Sequence, residues 1–98
     1  MQRSFTARKL SRSGLIRNWK QRHFVLSDSH LTYYSDSLLQ DKKGEYRLTG
    51  ETLTKVHDEA SNQFEISNKE EGVLRIESSS HEEMHDFMAA VRFVCRNL

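Results

Sequence analysis

The 98 residues of the chain leave room for one domain with a single modest core; 36% of them are hydrophobic and 30% are charged. Because Cys95 is the only cysteine, an intramolecular disulfide and a cysteine-rich zinc site are excluded, which favours an intracellular protein. The longest apolar run, Phe87–Val91, is far shorter than the roughly 20 residues of a membrane-spanning helix, and the N-terminus lacks the apolar segment of a secretory signal.

The charges are unevenly distributed along the chain, although the net charge is only +1. Residues 1–25 carry seven basic and no acidic side chains, whereas residues 51–98 carry five basic and ten acidic ones. A near-neutral total alone would argue against a polyanionic ligand. Because the bases are concentrated in one part of the chain, the sequence instead predicts a local anion-binding surface.

Residues 4–78 alternate with the period of two that is typical of β-strands. The first strand includes Phe5 and Lys9, and Trp19–Leu26 with Leu31–Tyr34 predicts a hairpin across a serine-rich turn. Four shorter alternating segments predict the remaining strands: Glu45–Leu48, Thr52–Val56, Gln63–Ile66 and Val73–Ile76. Seven short strands at this spacing predict an antiparallel sandwich or small barrel.

The period changes at Ser80, and an amphipathic helix is predicted over about residues 81–97. Ser80 and Glu83 have the spacing of a capping box. The helix is expected to cover an exposed part of the β core with side chains that recur at steps of three and four: Met84, Phe87, Met88, Val91, Val94, Cys95 and Leu98.

The strand that begins at Trp19 carries the clearest functional pattern. Alternation places four of its side chains on one face, two cations followed by two core residues: Lys20, Arg22, Phe24 and Leu26. In a nearly closed sheet, this order places the bases at the open end of the barrel and the apolar pair in its core.

Further residues are expected at the same rim. Tyr33 has the parity that brings its hydroxyl toward the two cations, and Lys9 lies near the end of the preceding strand. Arg12 and Arg17 lie in a loop predicted over residues 10–18. Several cations beside a phenolic donor suit a multiply phosphorylated ligand.

At these residues the sequence resembles the pleckstrin homology domain. The resemblance is carried by Trp19–Leu26, Leu31–Tyr34 and the terminal amphipathic helix, and it extends over about the whole chain. It implies a mainly β fold, a seven-stranded antiparallel, partly open barrel of two nearly orthogonal sheets capped by the C-terminal helix. We therefore predict a single domain of this kind over residues 1–98.

The resemblance also implies a phosphoinositide-binding site. Members that bind these lipids show a lysine on the first strand and Lys/Arg-x-Arg on the second, a tyrosine on the third and often a basic residue on the fourth. With the two loop arginines, the predicted phosphoinositide-binding residues are Lys9, Arg12, Arg17, Lys20, Arg22, Tyr33 and Lys43.

Two points of this assignment have alternatives. The region before Lys9 departs from the family's usual Gly-x-Leu, so Arg8 could take the place of Lys9 as the first-strand ligand. Leu15 and Ile16, two apolar residues among bases, are predicted to form a membrane-contact loop, or else to fold back on the barrel.

His81-Glu82-Glu83-Met84-His85 literally fits the H-E-x-x-H pattern of zinc enzymes. Such a site needs a further ligand and a substrate cleft, and the chain is small for both. We therefore interpret the match as a coincidence and predict no metal.

The predicted function is a non-catalytic, membrane-targeting module that binds phosphoinositide headgroups without a cofactor. We expect a monomeric, cytoplasmic domain that is recruited peripherally to the cytosolic face of anionic membranes. The alternative is a protein–protein interaction module of the same fold with weak or no lipid binding. An enzyme is disfavoured because no nucleophile–base arrangement or glycine-rich phosphate loop is visible. Nucleic-acid binding is disfavoured because no recognition helix or RNA-reading aromatic motif is visible.

Overall fold

The computed structural model describes residues 2–13 and 16–98, with the backbone alone for residues 12, 13 and 16. The described residues form seven strands and one helix, in the order β1 (Arg3–Ser13), β2 (Ile16–Leu26), β3 (His30–Tyr34), β4 (Lys42–Arg47), β5 (Leu53–Asp58), β6 (Gln63–Asn68), β7 (Gly72–Glu77) and α1 (His81–Arg96). Every hydrogen-bonded pair of strands is antiparallel, and the sheet order is β4-β3-β2-β1-β7-β6-β5. The predicted antiparallel, partly open barrel with a C-terminal helix is confirmed.

The strand β1 joins the two halves of the barrel. Its whole length pairs with β2, and Arg8 and Lys9 also pair with Glu77 and Ile76 of β7. The two predicted sheets are therefore continuous as one hydrogen-bonded sheet, whose edges are β4 and β5.

The β1–β2 hairpin is longer than the sequence indicated. Its register runs from Arg3 opposite Leu26 to Ser13 opposite Ile16. The loop predicted over residues 10–18 is therefore mostly strand, and only residues 14 and 15 lie between β1 and β2. The prediction was wrong here because a hairpin ladder is made by backbone groups, which pair whether or not the side chains alternate in hydrophobicity.

The core lies between the inner face of the sheet and α1, and Phe87 is at its centre. The Phe87 ring stacks on Phe5 with the ring centroids 4.2 Å apart and meets the edges of Phe24 and Phe64 at 5.5 and 5.2 Å. One helical residue therefore contacts strands from both halves of the sheet, which holds α1 across the barrel.

The helix begins and ends close to the predicted limits. The backbone N–H of Glu83 donates to Ser80 Oγ at 3.1 Å, as the capping box requires. The Glu83 carboxylate accepts from the Ser79 hydroxyl, which holds this side chain beside the start of the helix. Among the described residues, no helix has both the length and the apolar character needed to cross a membrane.

Candidate functional site

Three basic residues lie on the inner face of the β1–β2 hairpin at the open end of the barrel. The register places Lys9 directly opposite Lys20, and Ala7 opposite Arg22. Ala7 is buried and Phe24, two residues after Arg22, is completely buried, so this face of the hairpin points inward. The face therefore passes from cations to core, as the alternation in the sequence predicts.

Tyr33 adds an aromatic ring and a hydroxyl to this group. It is paired with Phe24 of β2, and the Lys9 ammonium lies 5.3 Å from the centroid of its ring, within cation–π distance. We call the inner-face side chains of Lys9, Lys20, Arg22 and Tyr33 the mouth.

The pKa shifts of Lys9 and Tyr33 indicate that the mouth is partly desolvated. Burial, and then the positive charge of Arg22, lowers the pKa of Lys9 from its ordinary 10.5. Burial raises the pKa of Tyr33 above its ordinary 10.0; the negative charge of Glu71 adds to this rise and Arg22 opposes it. The arrangement favours an anion that would stabilise the charged forms of these bases.

The cations of the mouth have no carboxylate partner among the described residues, unlike three arginines elsewhere on the sheet. Arg3 pairs with Asp86 at 2.8 Å, Arg8 pairs with Glu77, and Arg75 pairs with Glu65. Over residues 2–13 and 16–98, no ion pair involves Lys9, Lys20 or Arg22. The Arg22 guanidinium donates to the backbone oxygen of Gln21, at 2.9 Å. Their charge is available to an external anion.

The structure distinguishes between Lys9 and Arg8 as neighbours of the mouth. Arg8 points to the outer face of the sheet, where it pairs with Glu77, whereas Lys9 lies over Tyr33. Only Lys9 shares a face with Lys20 and Arg22.

The other predicted site residues are not gathered in the mouth. Arg17 belongs to β2 and has the opposite parity to Lys20, so it is exposed on the other face of the hairpin. Arg12 belongs to β1, and its side chain lies outside the described part of the chain. Lys43 is exposed and has the opposite parity to the buried Tyr46 of the same strand, so it lies off the inner face, with its ammonium 3.0 Å from Asp41.

The predicted membrane-contact residues cannot be placed, because Leu15 and the side chain of Ile16 lie outside the described residues. The structure instead exposes two other leucines, Leu38 and Leu39, which are 69% and 46% exposed in the β3–β4 connection. This connection follows β3 at the same end of the barrel as the mouth. Two adjacent leucines in an otherwise polar stretch were the sequence signal for this surface.

Glu71 is another residue that the sequence did not connect with the site. It lies in the turn between β6 and β7, where its carboxylate accepts from the backbone N–H of Arg47 at 3.2 Å. Its charge reaches Tyr33, so the rim of the cationic mouth carries one acidic group.

The family model of the PH domain matches residues 2–96 of the chain. No curated protein sequence gives a match. Among solved structures, the C-terminal PH domain of pleckstrin in complex with D-myo-Ins(1,2,3,5,6)P5 is similar, with a TM-score of 0.85 and 23% identity over 96% of this chain and 94% of that one.

Two human proteins give a comparable likeness. The PH domain of oxysterol binding protein-related protein 11 has a TM-score of 0.83 and 17% identity, over 99% of this chain and 82% of that one. The PH domain of TBC1 domain family member 2 has the same TM-score and identity, over 98% of this chain and 82% of that one. The fold is thus that of a small β domain closed by one helix. The chain belongs to the PH domain family.

Proposed function

We propose that the chain is a non-catalytic module that binds phosphoinositide headgroups in the mouth and is thereby recruited to anionic membranes. The observation that carries this proposal is the convergence of Lys9, Lys20 and Arg22, none of them paired with a described carboxylate, on one inward face beside Tyr33. The complex of a PH domain of pleckstrin with an inositol pentakisphosphate supports it, because that ligand presents the same kind of clustered phosphates.

Each residue of the mouth has a distinct chemical role in this proposal. Arg22 offers a planar fork that can hold two oxygens of one phosphate, and Lys20 is an exposed point charge that meets the headgroup first. The half-buried Lys9 lies deeper and neutralises charge where water is scarce, while Tyr33 donates a hydrogen bond through its hydroxyl.

The remaining predicted residues form an outer ring in the proposal. Arg12 and Arg17 meet anionic lipid around the bound headgroup, and Lys43 joins them when it exchanges Asp41 for a phosphate. Leu15 and Ile16 enter the interfacial region of the bilayer. Each base near an anionic leaflet contributes roughly 1 kcal/mol, so the group can hold a domain of residues 1–98 reversibly at the cytosolic face.

Sedimentation with liposomes over a phosphoinositide panel tests the proposal. We expect the double variant Lys20→Ala/Arg22→Ala to bind at least tenfold more weakly than wild type to vesicles that contain the preferred phosphoinositide. The matched control is Lys55→Ala/Arg96→Ala, which removes one lysine and one arginine outside the mouth and should stay within about twofold of wild type. If the folded double variant in the mouth binds like wild type, the proposed site is wrong.

A protein-interaction function is the second candidate, and one observation favours it. A mostly apolar groove of about 290 Å³ lies beside α1 between Arg3, Leu26 and Phe93, and Phe93 is 51% exposed. Such a groove could take an apolar peptide segment. This function requires no phosphoinositide preference and no effect of Lys20 or Arg22, so the same sedimentation series separates the two.

A further inference from the structure

Two histidines at the start of α1 and a glutamate from a distant turn bring three metal-ligating atoms together. His81 Nδ1 lies 2.9 Å from Glu59 Oε1, and His85 Nε2 lies 3.4 Å from the same oxygen. The two imidazole rings have centroids 4.3 Å apart, and one ligating atom from each of the three residues lies within 4.8 Å of the other two. Glu59 is the further ligand that the H-E-x-x-H pattern of His81 and His85 did not contain.

The fold holds these residues together from two independent elements. His81 and His85 are one helical turn apart, so their side chains project from the same face of α1. Glu59 lies in the β5–β6 turn, which is closed by Asn62 donating to the Glu59 oxygen at 3.3 Å and by Ala60 donating to Asp58 Oδ1 at 3.1 Å. A bond from the Ser78 N–H to the Asn62 oxygen, at 2.9 Å, attaches this turn to the segment that leads into α1.

The ligand set has the chemistry of a zinc site. Two imidazole nitrogens and one carboxylate oxygen are the protein ligands of several zinc centres, and they leave a fourth position for water. Atoms bound tetrahedrally at about 2.0–2.1 Å from one ion lie about 3.4 Å apart. The distances of 2.9 and 3.4 Å from Glu59 already match this spacing to within about half an ångström.

The three side chains are exposed enough to move the small remaining distance that tetrahedral binding of one ion requires. His81, His85 and Glu59 are 61%, 48% and 57% exposed, so rotation about their side-chain bonds meets little packing resistance. Water can also reach an ion bound between them.

The charges around the cluster favour a cation despite the helix dipole. The N-terminus of a helix has a partial positive charge that opposes a bound cation. Glu82, Glu83 and Asp86 lie on the first turns of α1 and line one shallow depression together with His85. Asp86 is paired with Arg3, and the two remaining negative charges still outweigh a partial positive one of about half a unit.

We propose that Glu59, His81 and His85 form a binding site for a divalent transition-metal ion, with Zn²⁺ as the fitting probe. The ion would connect the β5–β6 turn to the first turns of α1, so it would stabilise the folded domain. The site lies at the end of the barrel away from the mouth, because β7 begins at the turn that carries Glu71 and ends next to α1. Binding of a metal and binding of a headgroup are therefore separate properties that can be measured independently.

Calorimetric titration of the 98-residue chain with ZnCl₂ tests the site. We expect one Zn²⁺ per chain with a dissociation constant in the micromolar range, and a rise in the melting temperature of at least about 5 °C at saturating metal that a chelator reverses. Glu59→Gln and His85→Ala should each weaken binding at least tenfold and abolish the thermal shift.

Matched controls separate ligation from general electrostatic attraction. Glu82→Gln removes the same charge from the same end of the helix without removing a ligand, and His23→Asn removes a histidine from β2. Glu82→Gln should weaken Zn²⁺ binding by no more than about threefold, the loss expected for one nearby surface charge that is not a ligand, and His23→Asn should bind within about twofold of wild type.

A spectroscopic measurement on the wild-type chain does not depend on the stability of any variant. In nuclear magnetic resonance spectra, added Zn²⁺ should shift or broaden the imidazole signals of His81 and His85 before those of His23, His30 and His57. Absence of binding up to millimolar Zn²⁺, equal responses of all five histidines, or unchanged affinity in Glu59→Gln would each overturn the proposal and leave the cluster as ordinary ion pairs.

Discussion

Tyr33 lies directly across Gly44, its partner on the neighbouring strand. A Cβ atom built on Gly44 would be 2.4 Å from the Tyr33 hydroxyl oxygen and 2.5 Å from the ring carbon that carries it. Both distances are far below van der Waals contact, so the ring occupies space that any other residue at position 44 would fill. The missing side chain of Gly44 thus sets the position of the aromatic wall of the mouth.

The first prediction follows from this relationship. Gly44→Ala should lower the free energy of unfolding by about 1–3 kcal/mol, because the ring must move or the strands must separate. It should also weaken headgroup binding, because the displaced Tyr33 hydroxyl no longer donates to the headgroup. The loss of one hydrogen bond of roughly 1 kcal/mol corresponds to about a fivefold lower affinity. Urea unfolding and liposome sedimentation measure the two effects.

Gly50→Ala is the control for this substitution. An added Cβ at Gly50 would come no nearer than 3.3 Å to the C-terminal residue Leu98, a contact that a small shift relieves. If Gly44→Ala is as stable as Gly50→Ala and binds like wild type, then Tyr33 moves aside without cost and Gly44 does not position it.

The second prediction concerns the acidic group at the rim of the mouth. Glu71→Gln keeps an oxygen that can accept from the Arg47 N–H but removes a negative charge that acts on Tyr33. We expect the affinity for phosphoinositide vesicles to rise about threefold at low ionic strength, because repulsion of one unit charge at the protein surface is of order 1 kcal/mol or less.

Salt provides the internal check on Glu71. The gain in affinity of Glu71→Gln should fall toward zero at about 0.5 M NaCl, because salt then screens charges that are more than a few ångströms apart. Glu82→Gln makes the same charge change at the other end of the barrel and should leave affinity within error. An equal gain in both variants would mean that only net charge matters and that Glu71 has no local role.

The third prediction is a pH dependence from Tyr46 of β4. This buried tyrosine donates to the Gly72 oxygen at 2.6 Å, and burial raises its pKa from 10.0 to about 12. The folded pKa is above the unfolded one, so the stabilisation is complete below pH 10 and is lost as the pH rises from 10 to 12. At pH 8, Tyr46→Phe should therefore lower the free energy of unfolding by about 1 kcal/mol. Between pH 10 and 12 the stability of wild type should fall to that of the variant and then below it.

Unfolding by urea at pH 8, 10 and 11 measures the difference between wild type and Tyr46→Phe. Tyr34→Phe, which removes a hydroxyl from a partly exposed side chain of β3, controls for the direct effect of ionised tyrosines on the assay. If the free energies of unfolding of wild type and Tyr46→Phe differ by the same amount at all three pH values, then Tyr46 is not the source of a loss of stability at alkaline pH.

The helix and the inner face of β2 could be predicted from the sequence because both depend on local periodicity. A cap at Ser80 and apolar steps of three and four define α1 to within a residue, and alternation alone places Lys20 and Arg22 on one face. The length of the β1–β2 hairpin could not be predicted in this way, since residues 10–13 and 16–18 pair through backbone groups while the sequence of this stretch follows no hydrophobic pattern.

The rest of the site depends on relationships between distant residues. The bulge between Tyr33 and Tyr34 leaves Lys43 without a partner in the β3–β4 ladder, and a single sequence contains no signal for such a shift of register. Glu59 reaches His81 and His85 only because a turn and a helix start meet at one end of the barrel. Residues more than 20 positions apart come together through topology, which local pattern does not specify.

The pairing of Lys9 directly opposite Lys20 has a consequence for engineering. Like charges opposite each other on neighbouring strands repel, so the ladder of the hairpin holds together a pair that would otherwise separate. A screen for heat resistance would therefore enrich neutral residues at these two positions, and the most heat-resistant variants would be those that no longer attract a polyanion.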